Sequence, residues 1–293
     1  MLKELSIEDK QIFEKFINLK RHQLSSYQFS NIFIWGSLYK ILWQIIDGSL
    51  CVFFKDDSGC FMYIAPLAKE ISSDIIKSCF QIMDRYNKNK SISRIENVES
   101  SEVNFYRSIG YNVEEKYPDY LCLRKELVEL KGNRFKAKRA NINYFMKNYH
   151  FSCRNFSLKY KGSCLELYRF WMQERLRRYK DRVYQSMLED NFKVLKFLFN
   201  FYNDLDFTGW VVEIDSKVKA FSLGYPLNKD TFCILYEIAD LKIKGLAQFI
   251  FWYFCQQLSS YKYINIMDDS GLENLRRTKL SYHPEKISNY IVK

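Results

Sequence analysis

The chain spells one order of elements twice, and this repetition limits its fold more than any other feature. In the first half, runs of β-formers at 43–46, 50–54 and 61–65 are separated by the turn signals Asp47-Gly48 and Asp56-Asp57-Ser58-Gly59. A helical stretch at 72–86, a strand at 93–98, a helix over 102–111 with Gly110 near its end, and a strand at 120–123 complete the set. The second half repeats it: strands at 211–214 and 219–225 around Asp215-Ser216, a strand at 231–238, an apolar helix at 246–258 and a strand at 261–266. A short helix then starts near Leu272, and 280–284 reads as extended chain in front of Pro284. Asn104-Phe105-Tyr106-Arg107-Ser108 and Asn274-Leu275-Arg276-Arg277-Thr278 agree in type at four of five positions. Together these predict an α/β chain with mixed sheets, made of two copies of one fold. The expected division is a first domain over 1–128, a basic linker helix over 129–150 and a second domain over 151–293.

Two domains of that size are within reach of 293 residues, of which 47% are hydrophobic and 17% aromatic, with only 10 glycines and 4 prolines. The net charge of +11 favours an anionic partner: tRNA, a membrane surface or a phosphorylated ligand. Part of that charge is concentrated. Between residues 130 and 165 there is no acidic side chain, and Lys131, Arg134, Lys138, Arg139 and Lys147 lie on or beside a helix expected over 132–149. That helix reads either as an interdomain linker or as a surface that tracks phosphates, with these five residues as the tRNA contacts. The segment 165–201 continues helical and basic. The eight cysteines form no CxxC pair and sit mostly in apolar runs. The N-terminus has no signal-like apolar region, and the longest strongly apolar run, 249–255, is too short for a transmembrane segment, so a soluble cytoplasmic protein is expected.

Several catalytic classes lack their residues. His22, His150 and His283 are scattered without metal-ligand spacing, and no glycine-flanked nucleophile, Walker loop or dinucleotide fingerprint occurs, so no metal site is expected. Transfer from an activated ester or thioester to an amine or hydroxyl needs less: orientation, a deprotonated nucleophile and donors for the developing oxyanion. The stretch 268–284 offers an acidic turn followed by a basic helix. Asp268 and Asp269 could hold an ammonium group, as could Glu237 from the neighbouring strand, while Arg276 and Lys279 project together toward an oxyanion or phosphate. Lys242, Lys244, Gly245 and Ala247, between a strand and a helix, form a candidate phosphate cradle.

The residues Asp-Ser-Gly-Leu, Leu-Arg, Lys-Leu-Ser-Tyr and Pro across 269–284 resemble the end of the phosphatidylglycerol lysyltransferase C-terminal domain family. Further likeness runs through 120–149 and 236–248, and Lys242, Gly245 and Ala247 match the spacing of the pyrophosphate loop of GNAT acyltransferases. The resemblance implies two tandem GNAT-like domains joined by the basic helix, and transfer of an aminoacyl group from a charged tRNA. It maps Lys138, Arg139 and Asn141 onto the family's linker motif. In the second domain it maps Glu237, Asp269, Arg276, Lys279 and Tyr282 as catalytic candidates, with Asn265, Asp268 and Tyr236 beside the substrate. Two positions depart from the family pattern: Ile238 stands where a lysine follows the strand glutamate, and Met267 where a glutamate precedes the aspartate by two residues. The pair is consistent with a dropped ion pair or with altered catalysis.

The expected function is therefore transfer of an aminoacyl group from aminoacyl-tRNA to an amine or hydroxyl acceptor, lipid headgroups included, with no cofactor required. An acyl-CoA donor seated at residues 242–247 is the alternative. A third reading is a catalytically silent relative that binds tRNA or, peripherally, an anionic membrane.

Overall fold

The computed structural model describes residues 2–293. The chain forms two compact units, one running to Asp119 and including Lys286–Lys293, the other comprising Tyr120–Glu285. In the first, the elements are β1 (Lys3–Glu4), α1 (Lys10–Ile17), α2 (Phe29–Ile34), β2 (Lys40–Ile46), β3 (Ser49–Lys55), β4 (Cys60–Met62), α3 (Ser73–Tyr86), β5 (Ile95–Glu99), α4 (Val103–Ser108) and most of β6 (Val113–Leu123). Asp47 and Gly48 both take positive φ, +45° and +77°, and join β2 to β3 with Ile46 facing Ser49, as the Asp-Gly signal predicts. α3 starts where the Ser72 hydroxyl accepts the Ile75 N–H at 3.3 Å. Its buried residues Ile75, Ile76, Cys79 and Met83 recur at helical spacing and pack into the core of this unit.

The second unit begins inside β6. It continues with α5 (Arg124–Glu129), α6 (Lys136–Asn148), β7 (Ser152–Asn155), α7 (Lys161–Arg178), α8 (Arg182–Asn200), β8 (Thr208–Ile214), β9 (Lys217–Asn228) and β10 (Thr231–Ala239). Then come α9 (Leu246–Gln257), β11 (Tyr263–Asn265) and α10 (Glu273–Leu280), after which β12 (Glu285–Val292) returns to the first unit. The two units share one plan. Antiparallel strands lead to a parallel pair joined through a helix: β4 and β5 through α3, β10 and β11 through α9. The strand beside that pair comes from the other half of the sequence. β12 pairs with β5, and Leu121–Leu123 of β6 pair with β11. The division therefore falls at Tyr120 rather than near 128, because the end of β6 completes the second unit's sheet.

Three other differences from the sequence expectations have local causes. The basic helix α6 packs within the second unit: its Ile142 and Phe145 share a core cluster with Leu246, Phe249 and Ile250 of α9. The stretch 165–201 is two helices, broken where Asp181 leaves the helical region and accepts the Tyr184 N–H at 2.8 Å. Finally, 280–284 is a turn and not extended chain. Tyr282 and His283 donate their N–H groups to the Lys279 and Leu280 carbonyls, and His283 takes φ +55°, outside the extended region that a following proline favours. No helix among the described residues is long and apolar enough to cross a membrane.

Candidate active site

β10 and β11 hydrogen-bond in parallel only from Thr231 to Cys233; β11 then ends while β10 runs on to Ala239. The strands part, and the gap widens into a cavity of about 430 Å3 lined entirely by residues of the second unit. Alternation along β10 turns Leu235, Glu237 and Ala239 toward it. Tyr236 and Ile238 point the other way and are buried. The Tyr236 hydroxyl donates to the Asn191 carbonyl at 2.9 Å, so this residue supports the strand from behind and does not enter the cavity.

Among the described residues, Glu237 is the only carboxyl on the cavity wall. Glu237 is exposed to the open cavity, yet protein packs densely on the other sides of its carboxyl, and this desolvation pushes it up to about 7 against the pull of Lys138 and Lys279. Lys138 reaches in from α6, with Nζ 3.7 Å from the centre of the Tyr282 ring, and burial lowers its affinity for a proton. Lys279, from the last turn of α10, is fixed by donating to the Ile266 carbonyl at 2.5 Å and to the Asp268 carbonyl. Tyr282 also lines the cavity, its ring 4.5 Å from that of Phe251, and burial holds its phenol well above the usual range and hence protonated. The far wall comes from α7, where the Arg175 guanidinium lies 5.2 Å from the Trp171 ring; Arg175 Nε is buried and makes no hydrogen bond. One carboxyl pushed up to about 7 thus lies near Lys138 and Lys279, with Arg175 on the same cavity wall.

The expected acidic turn contributes differently. Asp269 is 2% exposed and absent from the cavity wall. It accepts the Tyr120 hydroxyl at 2.5 Å and the Gly271 N–H at 2.9 Å, holding the turn before α10. Burial and this carboxylate push the Tyr120 phenol up to about 12. Removing one charge-assisted bond from a buried carboxylate costs about 1.5–3 kcal/mol. Tyr120→Phe should accordingly lower stability by that amount in urea titration. Asp268 is likewise engaged locally, accepting the Ser270 N–H at 2.8 Å, and Asn265 is fully buried and accepts the Met267 N–H at 2.6 Å. Arg276 and Lys279 do not project together: Lys279 turns inward, and Arg276 stays exposed outside the cavity.

Of the cradle residues in the loop before α9, only the glycine is committed to packing; Lys242 and Lys244 are exposed. Lys242 Nζ lies 5.0 Å from the Phe170 ring centre and Lys244 Nζ 4.4 Å from that of Tyr144. Gly245, at φ +84°, is pressed so closely against the Asn141 carbonyl that a Cβ would overlap it. Of the four cradle residues, Ala247 alone lines the cavity.

The basic row is dispersed as well. Lys131 pairs with Glu129 at 3.1 Å and Arg134 with Glu126 at 2.8 Å, both partners lying just before the acid-free stretch. Arg139 donates to the Leu130 and Gly132 carbonyls, Lys138 is in the cavity, and Lys147 is exposed. Trp171 and Arg175 carry no motif. Their spacing of four residues on one helix face is the only sequence sign that they act together.

Two units, each with a parallel strand pair bridged by a helix, and a cavity where one such pair diverges, define a tandem GNAT-fold protein. A tandem GNAT protein from the clavulanic acid biosynthesis pathway shares this architecture over 100% of this chain and 98% of its own, with a TM-score of 0.54 at 8% identity. The phosphatidylglycerol lysyltransferase C-terminal family matches residues 17–293, and the chain belongs to that family. The structure of L-PGS from Bacillus licheniformis aligns at 18% identity and TM-score 0.66, covering 97% of this chain and 91% of that one. A conserved protein of unknown function from Bacteroides thetaiotaomicron VPI-5482 aligns at 24% identity and TM-score 0.87, covering 99% and 98%. No curated protein matches the sequence.

Proposed function

We propose that this chain is an aminoacyltransferase that moves an aminoacyl group from the 3′ end of a charged tRNA to an amine or hydroxyl acceptor. The observation that carries the reading is Glu237, a carboxyl with a proton affinity near neutrality, sharing one cavity with Lys138, Lys279 and Arg175. Family membership supports the same reaction class.

In this mechanism the acceptor nitrogen or oxygen attacks the ester carbonyl and passes its proton to Glu237. Negative charge develops on the carbonyl oxygen beside the lysine ammonium groups. The ester C–O bond then breaks, the new C–N or C–O bond is retained, and the proton goes from Glu237 to the departing ribose oxygen. The phenol of Tyr282, held protonated, is a further donor at the cavity wall. Acyl-CoA is the less supported donor, because Gly245 makes its close approach to the Asn141 carbonyl.

The test is to incubate the protein with tRNA charged with labelled amino acids, in the presence of phosphatidylglycerol vesicles or of soluble amines. Label moving from tRNA into lipid or amine is the expected result. Charge that stays on tRNA with every acceptor, while label from acyl-CoA is transferred, would replace this donor with the alternative.

A further inference from the structure

The cavity's outer wall continues into the corner between α7 and α8, and this corner is unlike the rest of the surface. From Glu174 to Arg182 it carries Arg175, Arg177, Arg178, Lys180 and Arg182 against two acids: Glu174, which pairs with Arg177 at 2.9 Å, and Asp181, whose side chain caps α8. Arg177, Arg178, Lys180 and Arg182 are exposed. Aromatic rings interleave with these cations. Arg175 lies over both Trp171 and Tyr179, at 5.2 and 5.9 Å, and Arg178 lies 5.7 Å from Tyr179. A positively charged track with aromatic faces suits single-stranded nucleic acid, where phosphates meet cations and unpaired bases stack.

We infer that this corner is the docking element for the unpaired 3′ end of the donor tRNA, with Trp171 stacking its terminal base and Arg178 and Arg182 neutralising phosphates. The inference rests on the aminoacyl-tRNA reading and names the surface that serves it. Trp171 and Glu237 line the same cavity, so a base on Trp171 and the ester beside it share one space with the carboxyl. Arg175, with Nε unpartnered, supplies a donor on the same cavity wall. The α6 region is less suited: just before the helix Lys131 and Arg134 are in ion pairs, and on it Arg139 is bound to carbonyls and Lys138 is inside the cavity, which leaves Lys136 and Lys147 exposed and unaccompanied by a ring on the cavity wall. A membrane contact would call for a broad apolar face, and Val183, 75% exposed, is the one largely exposed hydrophobic residue at the corner.

The experiment measures binding of two RNA hairpins, identical except that one carries a single-stranded 3′ end and the other is blunt, to the full chain over a range of salt. Trp171→Ala should weaken the overhanging RNA about 10- to 100-fold and leave the blunt one unchanged, since stacking concerns unpaired bases only. Trp171→Phe, which keeps an aromatic face and guards against misfolding, should stay close to wild type. Arg178→Ala with Arg182→Ala, both on exposed positions, should weaken both RNAs and flatten the dependence on salt. Equal effects of Trp171→Ala on the two RNAs would overturn the stacking role. Unchanged RNA affinity in the double variant, with lost binding to phosphatidylglycerol vesicles, would make the corner a membrane contact instead. Because these readouts need no turnover, the two ideas fail separately. The expected RNA pattern without any aminoacyl transfer leaves the docking surface standing and removes the transferase. Transfer with the RNA pattern absent does the reverse.

Discussion

Glu237→Gln is expected to abolish aminoacyl transfer, by about 10^2- to 10^4-fold, while RNA binding and folding persist. The amide keeps the size and polarity of the side chain but cannot take the proton of the attacking acceptor. The same residue sets the pH profile. With its carboxyl pushed up to about 7 by desolvation, the competent ionised form is scarce at pH 5 and dominant at pH 8.5. The wild-type rate should rise with pH, reach half its maximum near 7 and level off above. A profile without an inflection between 6 and 8 would remove Glu237 from the role of base.

Stability should run in the opposite direction. In the unfolded chain a glutamate titrates near its ordinary value of about 4.3, whereas here it holds its proton up to about 7, so the folded state binds more protons between those values. Its favourable contribution is complete below the ordinary value and is lost as pH rises through 7. Urea midpoints should therefore fall between pH 5 and pH 8 in the wild type, and Glu237→Gln should lessen that fall.

Gly245→Ala is expected to damage the second unit strongly. A residue with a Cβ at φ +84° pays about 1–2 kcal/mol for the left-handed region. The methyl group would also overlap the Asn141 backbone carbonyl, which cannot swing aside as a side-chain tip could. Forcing α6 from α9 adds an overpacking cost of about 1–3 kcal/mol. The sum, about 2–5 kcal/mol, should appear as a lower urea midpoint and, because α6 carries Lys138, as weaker transfer. Gly48→Ala is the control: its φ is +77° but open space surrounds the missing Cβ, so only the backbone cost should remain. Equal losses at the two positions would mean that the contact with Asn141 is not tight.

Much of this architecture is visible along the sequence because its signals are local. Asp47-Gly48 and Asp215-Ser216 form the expected turns, all four residues taking positive φ, and the apolar residues of 246–258 form α9. α4 and α10, which carry the two matching five-residue segments, each follow the second strand of a parallel pair. The site was legible in part. Glu237, Lys279 and Tyr282 do line one cavity, while Asp269 and Arg276 do not. Charge pattern alone cannot separate these outcomes, since a carboxylate that caps a turn and one that faces a cavity look alike in one dimension.

The sequence by itself determined most of the elements and their repeated order, because turns, caps and periodicity depend on residues a few positions apart. Tertiary structure alone decided which charges share a space. The parting of β10 and β11 opened the cavity, alternation along β10 aimed Glu237 into it and Tyr236 away, and α6 and α7 delivered Lys138, Trp171 and Arg175 from segments 60 to 100 residues distant. Those meetings, and the desolvation that brings a carboxyl to neutrality, arise only when distant segments pack around the same volume.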